Sequence, residues 1–199
     1  MTKLAAVFAS IPRAWLFMAV GLVQVVLIAL MVGDRVRILR SSTEVTLKTR
    51  AVDPRDFLRG DYVVLNYDIS SVPAGELKDT PVSGPGMFVY VKLARGADGF
   101  HQVVSAHLEQ VAVGPGEALI RGRVTDRSFC GDSRRQFCSS ISLDYGLEKF
   151  FVPQGEGRDI EKARNDNKLA IVAAVTPGGR AAIKRLLLDG KPVYDEPLF

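Results

Sequence analysis

TEVTLKTRAVDPRDFLRGDYVVLNYDI, residues 43–69, contains two runs in which apolar and polar side chains alternate. In the first run, residues 43–50, every second side chain is apolar or a threonine, and the same period returns in residues 62–69. A period of two places alternate side chains on one face of a β-strand, whereas a helix would scatter them around its circumference. Asp53-Pro54 stops the first run, because proline has no backbone N–H to donate to a sheet. Residues 43–69 therefore predict two half-buried strands joined by a polar loop.

Runs of strand-forming residues recur through the rest of the chain. They cover residues 87–93, 100–113, 118–124, 141–145, 169–175, 181–188 and 193–194. The glycines of GADG, residues 96–99, supply the positive φ of a tight turn, so the first two of these runs predict a hairpin. Residues 158–166 predict a short solvated helix, and residues 181–188 also fit a helix with apolar side chains on one face. About eight strands separated by glycine turns predict one all-β domain, a sandwich or a barrel, with one short helix.

A long apolar segment precedes these strands. Residues 14–33, AWLFMAVGLVQVVLIALMVG, contain no charge, and Gln24 is the one strongly polar side chain among them. At about 1.5 Å per residue, a helix of this length spans the roughly 30 Å hydrocarbon core of a bilayer. A buried core helix is disfavoured because the segment is apolar all round. A cleaved signal peptide is disfavoured because its apolar region is typically about 7 to 15 residues long.

The apolar segment divides the chain into four predicted parts. Residues 1–13 form a cytoplasmic N-terminal tail, and residues 14–33 form an uncleaved signal-anchor helix that crosses the membrane once. Residues 34–42 form a juxtamembrane linker, and residues 43–199 form an extracytoplasmic β-rich domain. The short linker predicts that this domain stays close to the membrane surface.

Positive charge is concentrated at the N-terminal end of the chain. Residues 1–40 hold five Lys or Arg against one acidic residue, whereas residues 41–199 hold 21 of each. A nucleic-acid-binding domain carries its positive excess on the folded surface, so we predict no nucleic-acid partner. Two cysteines and two histidines are too few for a cysteine-based zinc site, and His101 and His107 lie about 20 Å apart on a predicted strand. We therefore predict no metal and no cofactor.

Two signals disagree about the side of the membrane on which the domain lies. More basic residues follow the apolar segment within about 20 positions than precede it, and this bias places the domain in the cytoplasm. Cys130 and Cys138 instead bracket a polar loop, and a disulfide between them would stabilise the fold by about 2.5 kcal/mol. Such a bridge persists only in an oxidising compartment, and two unrelated thiols are the alternative. Because long domains translocate despite flanking charge, we predict an inner-membrane protein with a periplasmic C-terminal domain.

Acidic and aromatic side chains are concentrated in residues 53–62 and 145–158. Charge pairing in the first segment fits a salt-bridged turn, and the second segment fits an ordinary turn into the short helix. The functional interpretation is a groove where the second segment meets Asp61. The predicted binding residues are Asp56, Gly60, Asp61, Tyr62, Tyr67, Tyr145, Glu148 and Glu156. No catalytic residue is established, but Asp61 with Glu148 or Glu156 would be the pair able to act as general acid and base.

One part of this region resembles a known family. Gly60-Asp61-Tyr62, Leu65 and Tyr67 match the pattern that names the GDYXXLXY family, a group of uncharacterised bacterial membrane-anchored proteins. Residues 53–56 before this pattern, and residues 145–157 after it, are similar to other recurring segments of that family. The resemblance implies an envelope protein of unknown activity that works beside a polytopic membrane protein. It carries over no catalytic residue.

Two classes of function follow from the sequence. The first is an accessory or binding domain that acts near the membrane on a polytopic membrane protein or an envelope polymer. The alternative is an envelope hydrolase that uses paired carboxylates on a β-domain. Gly114-Pro115-Gly116 lacks the Lys-Ser/Thr ending of a phosphate-binding loop, and residues 139–142 offer no Ser-x-x-Lys nucleophile. These absences favour the binding domain over an enzyme.

Overall fold

The computed structural model describes residues 12–51, 62–79, 82–125, 129–130, 139–151 and 157–197. Among these, only the backbone is described for residues 13, 62, 83, 129, 130, 157–159 and 161. The chain divides into two compact units, one ending at Arg37 and the other beginning at Ile38.

A single helix, α1 (Arg13–Leu39), forms nearly all of the described part of the N-terminal unit, and its last two residues belong to the second unit. It has 27 residues and no acidic residue in its first turn, and it is long and apolar enough to cross a membrane. None of its apolar window is buried inside the protein. The helix continues through residues 34–39, of which Asp34, Arg35 and Arg37 are charged. Only residues 40–42 separate it from the first strand.

The second unit is built almost entirely of strands. Its described strands are β1 (Thr43–Arg50), β2 (Tyr62–Val64), β3 (Asn66–Tyr67), β4 (Ser71–Pro73), β5 (Val82–Ser83), β6 (Phe88–Arg95), β7 (His101–His107), β8 (Glu117–Val124), β9 (Phe129–Cys130), β10 (Ser140–Asp144), β11 (Lys149–Phe151), β12 (Leu169–Val175), β13 (Ala181–Leu188) and β14 (Lys191–Asp195). Two 3-10 turns, Asp68–Ser70 and Ala74–Glu76, flank β4, and a second helix, α2 (Gly157–Asn165), lies between β11 and β12. The all-β prediction is confirmed, and so is the short helix.

These strands form two five-stranded antiparallel sheets and two short ribbons. The first sheet has the order β14-β13-β12-β1-β3, and the second has the order β4-β10-β8-β6-β7. The ribbons are β11-β2 and β5-β9. No strand pairing joins the two large sheets within the described residues, an arrangement that fits the sandwich among the two predicted architectures. The predicted hairpin is β6 and β7, whose turn contains Gly99 with a φ of +83°.

Two predicted runs differ in detail from the strands that form. Residues 62–69 do not make one strand, because β2 pairs with β11 whereas β3 pairs with β1. The break falls at Leu65, whose N–H donates to the carbonyl of Glu148 at 2.8 Å. Residues 181–188 are strand β13 and not a helix, since they pair with β12 along its whole length. Short segments that change partner in this way explain why more strands form than the eight predicted.

The two large sheets share one hydrophobic core. Five fully buried residues meet in this core: Val45 and Leu47 of β1, Ile171 of β12, Val91 of β6 and Ile120 of β8. All seven residues of β12 are buried, which explains why this strand shows no alternation in the sequence. Helix α2 contacts β12, β1 and β2, and its Ile160 and Ala163 pack against this same core.

Candidate functional site

A cavity of about 350 Å³ lies where β3, at the edge of the first sheet, meets β10 of the second. Its walls come from the end of β1, from β2 to β4, from the residue after β8, and from β10 and the segment that follows it. The lining residues are Arg50, Val64, Leu65, Asn66, Tyr67, Ser70, Ser71, Thr125, Ser142, Leu143, Asp144 and Glu148. Apart from Tyr67, eight of these twelve residues have a side chain with a charge, a hydroxyl or an amide. The cavity is therefore suited to a polar ligand.

Tyr67 is buried beside the cavity and joins β3 to the segment before β11. Its hydroxyl donates a hydrogen bond to the carbonyl of Leu147 at 2.5 Å. Burial raises the pKa of this hydroxyl well above its usual value, and the negative charge of Glu148 acts in the same direction. The backbone N–H of Tyr67 is held by Asn66 Oδ1 at 2.9 Å. Tyr67 is therefore a neutral hydrogen-bond donor that fixes the wall of the cavity.

Tyr145 makes the reciprocal connection. Its buried hydroxyl donates to the carbonyl of Ile69 at 2.7 Å, and burial raises the pKa of this hydroxyl far above its usual value. The ring lies against Gly122 of β8, where an added Cβ would approach a ring carbon to 2.9 Å. Each of the two segments thus places one tyrosine hydroxyl on a backbone carbonyl of the other. A phenylalanine at either position would fill the space but leave that carbonyl without its donor.

Glu148 is the acidic group most affected by this environment. Its carboxylate accepts the N–H of Tyr145 at 2.6 Å, which closes a turn over residues 145–148. Burial raises the pKa of Glu148, and the nearby charge of Asp144 adds to this effect, whereas hydrogen bonds from backbone N–H groups, including that of Tyr145, oppose it. Asp144 lines the same cavity. A carboxyl group with a raised pKa near a second acidic side chain is an arrangement that can donate and accept a proton.

The remaining charge at the cavity comes from Arg50. Its Nε lies 2.6 Å from Asp68 Oδ1, and both side chains are about half exposed. The cavity therefore presents a paired cation at one wall and two carboxylates at another. Within the described residues, no group of three or more His, Cys, Asp or Glu side chains is placed to hold a metal ion.

Three of the predicted binding residues meet at this site. Tyr67 and Glu148 line the cavity, and Tyr145 contacts both segments that form it. Asp56, Gly60, Asp61 and Glu156 lie outside the described residues, and only the backbone of Tyr62 is described. Cys138 also lies outside them, and Cys130 is described by its backbone alone in β9, so the disulfide stays a prediction. The same holds for the pairing of Asp61 with Glu148 or Glu156.

The β2-β11 ribbon shows how the two predicted segments meet. Phe151 pairs with Tyr62 and Lys149 with Val64 in antiparallel register. Glu148 therefore lies at the Leu65 end of β2. It precedes Phe151, the partner of Tyr62, by three residues, which correspond to about 10 Å along the strand.

Sequence reasoning missed Arg50, Asp144 and the serines at positions 70, 71 and 142. Arg50 ends β1 and Asp144 ends β10, next to the segments already singled out. That adjacency was the signal in the sequence, but it does not reveal which strand ends meet.

Residues 24–186 match the family described as GDYXXLXY protein, and this range includes the whole of the cavity. The chain belongs to the GDYXXLXY family. The resemblance in residues 60–67 is therefore confirmed over most of the chain. No curated protein and no solved structure matches it. Leu65 and Tyr67, two of the residues that name the family, are buried in this structure. Their position indicates that this part of the family pattern builds the cavity wall.

Proposed function

We propose that this member of the GDYXXLXY family is a single-pass, membrane-anchored envelope protein whose β domain binds a partner or polymer near the membrane surface. The observation that carries the proposal is the polar cavity, whose walls are held by the two reciprocal tyrosine hydrogen bonds. Helix α1 supports the anchoring, since its length and composition suit a bilayer. Residues 40–42 are a tether of about 10 Å at full extension, which would keep the domain close to the lipid.

Within this proposal, the protein lies in the inner membrane with its domain in the periplasm. The test is to treat intact and permeabilised cells with a membrane-impermeant reductant or with buffer alone, and then to label Cys130 and Cys138 with a membrane-impermeant thiol reagent. We expect the cysteines to be labelled only after reduction. We also expect this labelling in cells whose inner membrane is intact. Labelling without reduction, and only after the inner membrane is opened, would instead place the domain in the cytoplasm.

The binding role is tested by crosslinking in cells, followed by capture of the full chain from detergent extract. Glu148→Gln keeps the size of the side chain but removes its charge from the cavity, and Glu109→Gln makes the same change at an exposed carboxylate outside the cavity. We expect the wild type and Glu109→Gln to recover the same envelope component. We expect Glu148→Gln to recover it about 10- to 100-fold less, the range for one lost hydrogen bond to a charged group.

Two results would contradict the binding role. One is that repeated crosslinking recovers no envelope component. The other is that Glu148→Gln and Arg50→Gln, each shown by circular dichroism to be folded, both recover the component as well as the wild type does.

A carboxylate-dependent hydrolase is the second candidate function, and one observation favours it. Asp144 and Glu148 line the same cavity, and Glu148 has the raised pKa of a general acid. For an enzyme of this kind, the purified full chain would cleave envelope polymer fragments, and both Glu148→Gln and Asp144→Asn would lose that cleavage. Cleavage that survives in Glu148→Gln would exclude this role for the pair. A partner that is captured uncleaved would favour the binding protein.

A further inference from the structure

Gln24 occupies an unusual position in α1. Ten uncharged residues of the apolar segment precede it and nine follow it, so it lies about 15 Å from one end of the segment and about 14 Å from the other. The side chain is exposed on the helix, and its carboxamide has no hydrogen-bond partner within the described residues. If α1 spans the bilayer, as the proposed function holds, Gln24 lies at the midplane.

An unpaired carboxamide is costly at that depth. Hydrocarbon offers no donor or acceptor, and an amide left without a partner there costs several kcal/mol. The side chain is far shorter than the distance to either headgroup region, so it cannot reach water. A partner at the same depth is therefore needed, and it has to come from another membrane-spanning segment.

We propose that α1 pairs in the membrane with α1 of a second copy of this chain, through a hydrogen bond between the two Gln24 carboxamides. A carboxamide carries both an N–H donor and a carbonyl acceptor, so it is complementary to itself. All copies of a single-pass protein insert in the same direction, and two parallel copies therefore place their Gln24 side chains at the same depth. A two-fold axis along the membrane normal brings them together.

Gly21 strengthens this assignment. It precedes Gln24 by three residues and so lies on the same face of the helix, one turn away. Nothing lies within 4 Å of the position that a Cβ would take on Gly21. A glycine next to a polar residue allows two helix backbones to approach closely enough for the side chains to bond. The face formed by Gly21 and Gln24 thus supplies both the room and the hydrogen-bonding group that a second α1 would use.

The test is energy transfer between donor- and acceptor-labelled full chains in vesicles of phosphatidylcholine and phosphatidylglycerol, measured as the protein is diluted into lipid. We expect association of the wild type, with a dissociation constant about 3- to 20-fold weaker for Gln24→Leu. Gln24→Asn keeps an amide and should keep most of the association. Gly21→Ile should weaken it by crowding the contact. Val26→Leu, on the opposite face of α1, is the matched control and should behave as the wild type does.

Three results would overturn the inference. The first is that the wild type transfers energy no better than chance proximity predicts. The second is that Gln24→Leu and Gly21→Ile both associate as the wild type does. The third is association that arises only when another membrane protein from the native membrane is added, which would assign Gln24 to a different helix. The inference rests on the membrane anchoring within the proposed function. Failure of that anchoring is distinguishable, because the chain would then not insert into the vesicles at all, whereas an inserted monomer contradicts only the pairing.

Discussion

At the scale of single residues, the hydroxyl groups of the buried tyrosines stabilise the fold in addition to the packing of their rings. Tyr67→Phe removes the donor to the buried carbonyl of Leu147 and keeps the packing. We expect the free energy of unfolding of the full chain in detergent to fall by about 1 to 3 kcal/mol, the cost of a buried group left unpaired. Denaturation followed by circular dichroism measures this change. Tyr194→Phe is the control, because its hydroxyl contacts Glu196 at 3.2 Å in a partly exposed position and should matter much less.

The second residue-scale prediction concerns Glu148 and pH. Burial raises the pKa of Glu148 in the folded protein, so folding favours the protonated carboxyl. The resulting stabilisation is fully present below the unfolded pKa of about 4.3 and is lost as the pH rises through the folded pKa. We therefore expect the melting temperature of Glu148→Gln to rise relative to the wild type between pH 4 and pH 8. A difference that stays constant across this range would mean that the carboxyl is not penalised by burial.

At the scale of elements, the turn between β12 and β13 is tied to the second sheet. The carbonyl of Gly179 accepts the N–H of Arg121 in β8 at 2.8 Å, and a Cβ on Gly179 would approach that nitrogen to 3.0 Å. Gly179 also has a φ of +80°. We expect Gly179→Ala to cost about 2 to 4 kcal/mol, from backbone strain together with the steric conflict.

Gly190 provides the matched control for this turn. It has a φ of +77° but nothing within 4 Å of an added Cβ, so Gly190→Ala should show the strain alone, about 1 to 2 kcal/mol. Chemical denaturation of both full-length variants separates the two contributions. Equal losses would show that the contact between the turn and β8 adds nothing.

The contact between β1 and β7 depends on pH through His101. The N–H of Thr46 donates to His101 Nδ1 at 3.0 Å, which requires that nitrogen to be unprotonated. Burial lowers the pKa of His101, and the positive charge of Arg95 acts in the same direction. The contribution of the neutral His101 imidazole to folding stability is therefore fully present above its unfolded pKa of about 6.5. This contribution is lost as the pH falls from there through the lower folded pKa.

His101→Asn tests this contact, because the asparagine oxygen can accept the same N–H without titrating. We expect the wild type to lose more stability than His101→Asn when the pH is lowered from 7 to 5, as measured by thermal unfolding. Parallel losses in the two proteins would contradict the assignment.

At the scale of the whole molecule, the apolar segment should govern where the protein is found. We expect the full chain to sediment with membranes from a detergent-free lysate and to remain there in a high-salt wash, because apolar burial is not screened by salt. Replacing Leu22 and Val25 by arginine should release it, since each charge at the centre of a span costs about 2.5 to 3.5 kcal/mol. An intact full chain in the supernatant would contradict the anchoring.

The candidate site shows how far sequence reasoning reaches. Tyr67, Tyr145 and Glu148 were identified because aromatic and acidic residues cluster in two segments, and the cavity does lie between those segments. Arg50 and Asp144 were not identified, since each ends a strand whose neighbours are far away in the chain. A tyrosine in an alternating run is recognisable as a core or binding residue, but the carbonyl that its hydroxyl reaches is not.

By itself, the sequence determined the apolar helix, the β-rich character of the domain and the hairpin turn, and its motif indicated the family. These features depend on local properties, namely hydrophobic period, composition and the conformational freedom of glycine. Only the tertiary structure decided that β1 lies between β12 and β3, that residues 62–67 divide their pairing between β11 and β1, and that the two tyrosines bond reciprocally. The reason is that backbone ladders form equally well between many strands, so the partner of each strand is selected by long-range packing of the shared core.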